Sequence, residues 1–166
     1  MSGDTRGGTG EAYQDPLEDY ESRQYDDPLE LALAEETVQA IQTRPYVSVP
    51  SDASVGETVR RLVDLDVACV LVEEEGRLIG LVSERDVLNK VALEYEQVKD
   101  LPVTDLMTPN PICVYETDSS AAVLSVMAAT GYRHVPVVDL DEKLVGIVGP
   151  VRITAFLQKR YDEFAE

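Results

Sequence analysis

The segment 80–86 reads Gly-x-x-Ser-x-x-Asp and follows an apolar run that predicts a strand. If a helix begins at Ser83, its first turn presents unpaired backbone N–H groups and a partial positive charge, which suit a phosphate. Asp86 returns to the same end of that helix, where its carboxylate can accept both hydroxyls of a ribose. Arg85 lies beside the acid and can add a charge-assisted contact to a phosphate. These residue types at this spacing can bind an anionic ligand that also carries hydroxyl groups.

The same spacing has a second interpretation that needs no ligand. A serine at a helix start, with an acidic residue three positions later, is also a capping box. In that case Ser83 and Asp86 only satisfy backbone N–H groups. The pattern alone therefore leaves binding and capping open.

His134 is the only histidine of the chain. A metal site would need a second His or a Cys at ligand spacing, and nucleophilic catalysis would need a serine or cysteine motif with a partner base. The sequence shows neither, and it shows no paired acid and base. We therefore expect no enzyme activity, no metal and no required cofactor, and we interpret His134 as a positioned imidazole or a phosphate contact.

These candidate residues belong to a unit that occurs twice. Residues 41–82 run parallel to residues 106–148. The offset is 65 at the start, where Thr43 matches Thr108, and 66 at the end, where Gly80 matches Gly146. The second copy therefore has one extra residue, which falls in a predicted hairpin turn.

Each copy predicts the element order β-α-β-β-α. The predicted strands span 46–49, 67–72 and 77–82 in the first copy and 111–114, 134–138 and 143–148 in the second. The closing helices are predicted over 84–97 and 150–164. Apolar strands without polar alternation indicate a sheet covered by helices, and neither copy is large enough for a comfortable core of its own. We predict an α+β protein whose two copies pack as one unit.

The composition limits the possible functions. The chain has 166 residues, and 32 Asp and Glu against 14 Lys and Arg give a formal net charge of -18, which repels a nucleic-acid backbone. No run reaches the roughly 18 apolar residues of a membrane span, and residues 1–10 lack the apolar core of a signal peptide. Cys69 and Cys113 each lie in an apolar run, so we expect two buried thiols. We expect a cytoplasmic protein that binds neither nucleic acid nor membrane.

The N-terminal region is acidic and poor in large aliphatic residues, so we expect residues 1–27 to be a disordered tail that improves solubility or docks a basic partner. Asp27 and Pro28 then predict a capped helix start. The predicted organisation is an acidic tail (1–27), an N-terminal helix (28–42), a first repeat (43–100) and a second repeat (101–166).

Three motifs in register across the duplication resemble a tandem cystathionine-beta-synthase (CBS) domain pair, or Bateman module. The segment 103–108 is similar to the family's opening, 131–139 to its middle strand and 80–86 to its ligand motif. The resemblance covers roughly residues 41–160. It implies two CBS repeats packed as a pseudo-twofold pair, with two clefts able to hold an adenosine ligand such as AMP, ADP, ATP or S-adenosylmethionine. It also implies a homodimer.

The resemblance assigns roles to residues of both copies. Ser83 is expected to contact phosphate and Asp86 ribose, while Arg85, Arg133 and His134 are expected at the same cleft. The family geometry further implies an adenine pocket lined by Ile112, Tyr132 and Pro136. Ordinary core packing is an alternative for these last three residues.

The second copy departs from the ligand motif. Gly149 stands in place of Ser83, and Arg152 puts a cation where the ribose-binding carboxylate is expected. Gly149 and Pro150 together are simply a good helix start. We therefore expect one competent nucleoside site, around Asp86, and a second cleft that is empty or occupied differently.

Two functions are compatible with these observations. The first is a non-catalytic regulatory module, in which an adenosine nucleotide between the two repeats shifts the conformation that an unknown effector protein recognises. The second is a degenerate CBS pair that acts as a structural, dimerisation or interaction module without a ligand.

Overall fold

The computed structural model describes residues 25–41 and 44–165, so all but the last three residues of the predicted tail lie outside the described residues. The helices are α1 (Pro28–Glu35), α2 (Val55–Asp64), α3 (Glu84–Lys90), α4 (Tyr95–Val98), α5 (Ser120–Thr130) and α6 (Pro150–Ala165). The strands are β1 (Ser48–Pro50), β2 (Cys69–Glu74), β3 (Arg77–Ser83), β4 (Thr108–Pro109), β5 (Val114–Tyr115), β6 (Val135–Val138) and β7 (Leu144–Val148). The predicted α+β class and the order β-α-β-β-α in each copy are confirmed.

The strands form two sheets, each built on the three main strands of one copy, and the first sheet also takes β4 from the start of copy two. Their orders are β1-β2-β3-β4 and β5-β6-β7. In each sheet the first strand lies parallel to its neighbour, and the next two strands form an antiparallel hairpin. The registers repeat as well, because Val49 pairs with Val72 in the first sheet and Val114 pairs with Val137 in the second. The two copies are therefore the same unit in three dimensions.

Buried aliphatic side chains hold each sheet against its helices. The buried strand valines are Val49, Val70, Val72 and Val82 in the first copy and Val114, Val135, Val137 and Val148 in the second. A third, smaller cluster joins the sheets, and it contains Cys69, Leu71 and Leu81 of the first copy with Leu144 of the second. The predicted packing of the two copies as one unit is confirmed by this shared core.

Each copy is also completed by a segment that precedes it or follows it in the chain. In copy two, the Val38 N–H donates to the Asp118 carbonyl at 2.8 Å, and in copy one the Val103 N–H donates to the Ala53 carbonyl at 2.8 Å. Both valines are fully buried. The segment containing α1 therefore packs on copy two as the segment containing α4 packs on copy one. We propose that the N-terminal helical segment spans 28–42, the first repeat 43–100 and the second repeat 101–166.

This arrangement explains why two predicted helices are shorter than expected. The predicted cap is present, since Asp27 Oδ1 accepts the Leu29 N–H at 2.8 Å. The helix ends at Glu35, however, and a separate 3-10 turn follows at Val38–Ala40. The helix predicted over 84–97 is divided into α3 and α4. In both places the chain turns so that the following residues can hydrogen-bond to the backbone at the start of another helix, α5 for Val38 and α2 for Val103. A continuous helix would carry these residues away from that contact.

The two cysteines differ in burial, so one prediction was wrong. Cys69 is buried and Cys113 is exposed. Cys113 directly precedes the buried Val114, and successive residues of an extended segment point to opposite faces. Among the described residues, no helix has both the length and the apolar character to cross a membrane.

Candidate functional site

A cavity of about 470 Å³ lies between the two copies, at the start of α3. Its walls come from β2, β3 and α3 of copy one and from the end of α5, the segment before β6 and the start of α6 in copy two. Its volume is within the usual range for small-molecule sites. Six residues predicted from the sequence line it: Ser83, Arg85, Asp86, Tyr132, Arg133 and His134.

The other two predicted residues lie elsewhere. Pro136 is buried in β6, where it pairs with Ile147. Ile112 is 50% exposed and lies in the segment before β5. Neither residue lines the described cavity. Only the family resemblance implied a place at the cleft for these two residues.

The cavity walls also include residues that are not among the eight predicted site residues. Ala68 and Cys69 of copy one are among its walls, as are Thr108 and Thr130. The repeat contained a signal for the first two, because at the offset of 65 they match Arg133 and His134. Residues at the same place in two copies of a pseudo-twofold pair meet at the same interface.

The start of α3 forms a complete capping box. Asp86 Oδ2 accepts hydrogen bonds from the Ser83 N–H at 3.0 Å and from the Ser83 hydroxyl at 2.7 Å. The Asp86 N–H donates in turn to Ser83 Oγ at 3.3 Å. The capping interpretation is thus correct as a description of the helix start, and it coexists with a place on the cavity wall.

The second oxygen of Asp86 is held by a lysine. Lys90 Nζ lies 3.0 Å from Asp86 Oδ1 and donates to the Leu106 carbonyl at 3.0 Å. Because a carboxylate offers about four acceptor positions, three of them are already used. The Lys90 side chain is 47% exposed, so its ammonium group can leave Asp86 and be hydrated by water at little cost in free energy. A ribose diol would therefore bind Asp86 most readily if Lys90 moved aside.

The charges of the cavity are balanced rather than acidic. Burial raises the pKa of Asp86, but hydrogen bonds from Ser83 and the contact with Lys90 lower this pKa by more, and the net direction is downward. Burial lowers the pKa of His134, nearby Arg133 lowers it further, and Glu84 opposes both effects. His134 is therefore mainly neutral at pH 7. Two arginines then face two carboxylates, in a chain of net charge -18.

A second cavity of about 440 Å³ lies at the start of α6, where Arg152 takes the place of Asp86. The guanidinium of Arg152 donates to the Arg44 carbonyl at 3.1 Å and to the Pro45 carbonyl at 2.8 Å. Its nitrogens thus contact the backbone of the protein itself.

Among the described residues, no cluster of three or more His, Cys, Asp or Glu side chains is arranged to hold a metal ion.

Two segments, residues 38–93 and 103–159, match the family model described as the CBS domain. The chain belongs to the CBS domain family. The predicted tandem pair is confirmed by these two matches in one chain. One relative, the CBS domain-containing protein CBSCBSPB1 of Arabidopsis thaliana, is 28% identical over 116 residues, which cover 69% of this chain and 21% of the relative. The chain thus spans about a fifth of the length of that relative.

Solved structures of CBS pairs have the same fold. The structure of CBSX2 in complex with AMP is 30% identical, with a TM-score of 0.64, and the match covers 75% of this chain and 98% of that chain. CBSX2 is a protein of Arabidopsis thaliana. The CBS domain pair of protein MJ0100, in complex with 5′-methylthioadenosine and S-adenosyl-L-methionine, is 25% identical, with a TM-score of 0.65 and coverage of 75% and 98%. Both of these similar proteins hold adenosine compounds.

Proposed function

We propose that this CBS pair is a non-catalytic regulatory module that binds an adenosine nucleotide in the cavity at Asp86 and signals to a partner protein. The observation that carries the proposal is that one cavity collects six residues from two distant parts of the chain. Three of them, Ser83, Arg85 and Asp86, come from copy one, and the other three come from copy two. Capping of α3 alone would not require the contribution of copy two.

The cavity offers a group for each part of the ligand. Asp86 is suited to the ribose hydroxyls, and the start of α3 with Arg85 and Arg133 is suited to a phosphate. Both arginines are exposed at the rim, where their side chains can change conformation to contact ligands that differ in the number of phosphates. AMP, ADP, ATP and S-adenosylmethionine are therefore all candidates. We propose that no other cofactor is required.

The signal would arise because the ligand touches both copies. A ligand that binds one relative arrangement of the copies more tightly than another shifts the population toward that arrangement. An effector protein, unknown at present, would recognise the difference.

We also propose a homodimer. Exposed apolar side chains on the helices, including Val63 at 73% and Leu88 at 70%, supply surface for such a contact, and light scattering coupled to size exclusion would measure the mass.

The test is isothermal titration of AMP, ADP, ATP and S-adenosylmethionine into the purified full chain. We expect one site per chain for at least one of these ligands, and loss of that site in Asp86→Ala. Glu57→Ala is the matched control, because Glu57 also follows a serine N-cap by three residues, at the start of α2. Glu57 lies on the wall of neither cavity. Two equivalent sites per chain would contradict the expected difference between the clefts.

A second candidate function is a structural or interaction module without a ligand. The complete capping box at α3 favours it, because Ser83 and Asp86 are already satisfied by each other. No heat from any of the four ligands, with folded protein free of copurified nucleotide, would establish this alternative. An ATP hydrolysis activity that persists through purification and disappears in Asp86→Ala would instead contradict both non-catalytic proposals.

A further inference from the structure

The two cavities share part of their walls. Cys69 at the start of β2 and His134 just before β6 each line both cavities. These two residues occupy the same position in the two copies, since they are 65 residues apart. Ala68, Pro150 and Val151 also line both cavities, so the side chains at this position form part of the partition between the clefts, with a small thiol from one copy and an imidazole from the other.

Each partition residue faces the start of the following helix. Cys69 pairs across the hairpin with Ser83. His134 lies against Gly149, which is the counterpart of Ser83. A Cβ atom added at Gly149 would lie 2.7 Å from His134 Cδ2 and 2.8 Å from His134 Nε2. Real Cβ atoms essentially never come this close to another heavy atom, so no side chain fits at position 149 while the imidazole stays in place.

The backbone of Gly149 does not itself require glycine. Among the described glycines, positive φ angles occur at Gly76 and Gly131 and not at Gly149. Gly149 is buried, and the nearest atoms to its added Cβ all belong to the His134 ring. The small residue is thus needed for the imidazole alone.

We propose that Gly149 is a positioning residue for the cleft at Asp86, because it leaves the space in which the His134 imidazole stands between the two cavities. Copy one has Cys69 and Ser83 at these two positions, whereas copy two has the larger His134 in place of the cysteine and Gly149 in place of the serine. The second cleft therefore lacks a serine hydroxyl for the same reason that the first cleft has an imidazole, because Gly149 leaves room for the His134 ring. A serine at position 149 and the present place of His134 exclude each other.

The first test uses the ligand-free full chain and Gly149→Ala. The chain has one histidine, so the imidazole C–H signals in a ¹H–¹³C spectrum are assigned without ambiguity. We expect Gly149→Ala to move both ring signals and to lower the Tm by about 2–12 °C, as overpacking does in a chain of this size. Unchanged ring signals would overturn the proposal.

A double-mutant cycle separates the imidazole from other causes. In the His134→Ala background the added methyl group has room, so Gly149→Ala should no longer lower the Tm. If Gly149→Ala alone does not fold, a cooperative thermal transition of the double variant gives the same support. An equal loss of stability in both backgrounds, or a double variant that also does not fold, would show that the methyl group acts on the α6 backbone instead.

The effect on ligand rests on the proposed function and is measured separately, with AMP and adenosine as probes. We expect Gly149→Ala to weaken AMP binding about tenfold and adenosine binding less than about twofold, because a displaced imidazole loses a contact to the phosphate. Unchanged AMP affinity would overturn the role of Gly149 in the cleft. If the natural protein binds neither probe, the proposed function fails, while the ring signals and the cycle still decide the positioning of His134.

Discussion

The starts of α3 and α6 occupy the same place in the two copies and satisfy their polar groups in opposite ways. At α3, Asp86 accepts hydrogen bonds from Ser83 and Lys90 beside the first cavity. At α6, Arg152 donates to two backbone carbonyls, those of Arg44 and Pro45. The difference shows that one fold position can present acceptor oxygens to a cavity in one copy and bind the protein's own backbone in the other.

The sign of the side-chain charge decides between these uses. A carboxylate accepts hydrogen bonds, so it can receive ribose hydroxyls, whereas a guanidinium only donates and finds carbonyl oxygens. In the second cleft the two carbonyls that accept from Arg152 belong to the segment before β1. Arg152 therefore joins copy two to the entry of copy one, and we expect its contribution to be stability rather than affinity.

The largest effect should separate the two positions by ligand affinity. Asp86→Asn keeps the size of the side chain and removes its charge, and we expect AMP affinity to fall about 100-fold or more, since two charge-assisted hydrogen bonds are weakened. Arg152→Met should change that affinity by less than about threefold. Titration calorimetry measures both, and an equal loss in the two variants would remove the functional difference between the clefts.

The next effect concerns stability. Arg152→Met removes two charge-assisted hydrogen bonds and leaves two carbonyls without their donor, so we expect a loss of about 2 kcal/mol in the free energy of unfolding. Urea denaturation measures this loss. Arg61→Met is a suitable control, because Arg61 is exposed and its contact with Glu57 is long, at 3.8 Å. A loss no larger than that of the control would mean that Arg152 does not hold the copies together.

The equivalence of the two docked segments predicts a smaller, matched pair of effects. Val38→Ala and Val103→Ala each remove two buried carbon atoms at corresponding positions, and each should cost about 1.5 kcal/mol of unfolding free energy. We expect the two values to agree within about 0.5 kcal/mol. If denaturation showed a normal cost for Val103→Ala and none for Val38→Ala, the segment containing α1 would not be part of the cooperative unit.

The smallest expected effect is a dependence on pH. The folded-state pKa of Asp86 lies below its ordinary value, because the bonds from Ser83 and Lys90 outweigh the effect of burial. The resulting stability is present above the ordinary pKa of about 4 and is lost as the pH falls through the lowered value. Asp86→Asn should therefore lose less stability below pH 4 than the natural protein does. Parallel acid denaturation curves for the two proteins would contradict this prediction.

Much of the fold could be predicted because its signals are local. The apolar strands and the serine at the start of α3, Ser83, are visible in short windows of sequence, and the repeat is visible when two such windows 65–66 residues apart are compared. The departure of Arg152 from the motif was visible in the same way. Each of these features depends on neighbouring residues, whose preferences act over one turn or one strand.

The errors lie where distant contacts override local preference. Periodicity continued the helices past Glu35 and Lys90, but the chain turns there so that Val38 and Val103 reach the helix starts of α5 and α2. Cys113 was expected to be buried, and alternation beside Val114 exposes it. A hydrophobic pattern reports which residues leave water and does not report which segment covers them.

The order of residues along the chain is enough to establish that there are two copies, that each is built as β-α-β-β-α, and that Ser83 and Asp86 stand together at a helix start. The packing of the two copies was needed to show that Cys69 and His134 are part of the partition between the cavities and that Gly149 leaves space for the imidazole. Arg152 likewise meets carbonyls 107 and 108 residues away. The reason is that local patterns arise from contacts within a few residues, whereas a cleft between repeats depends on how two complete units pack.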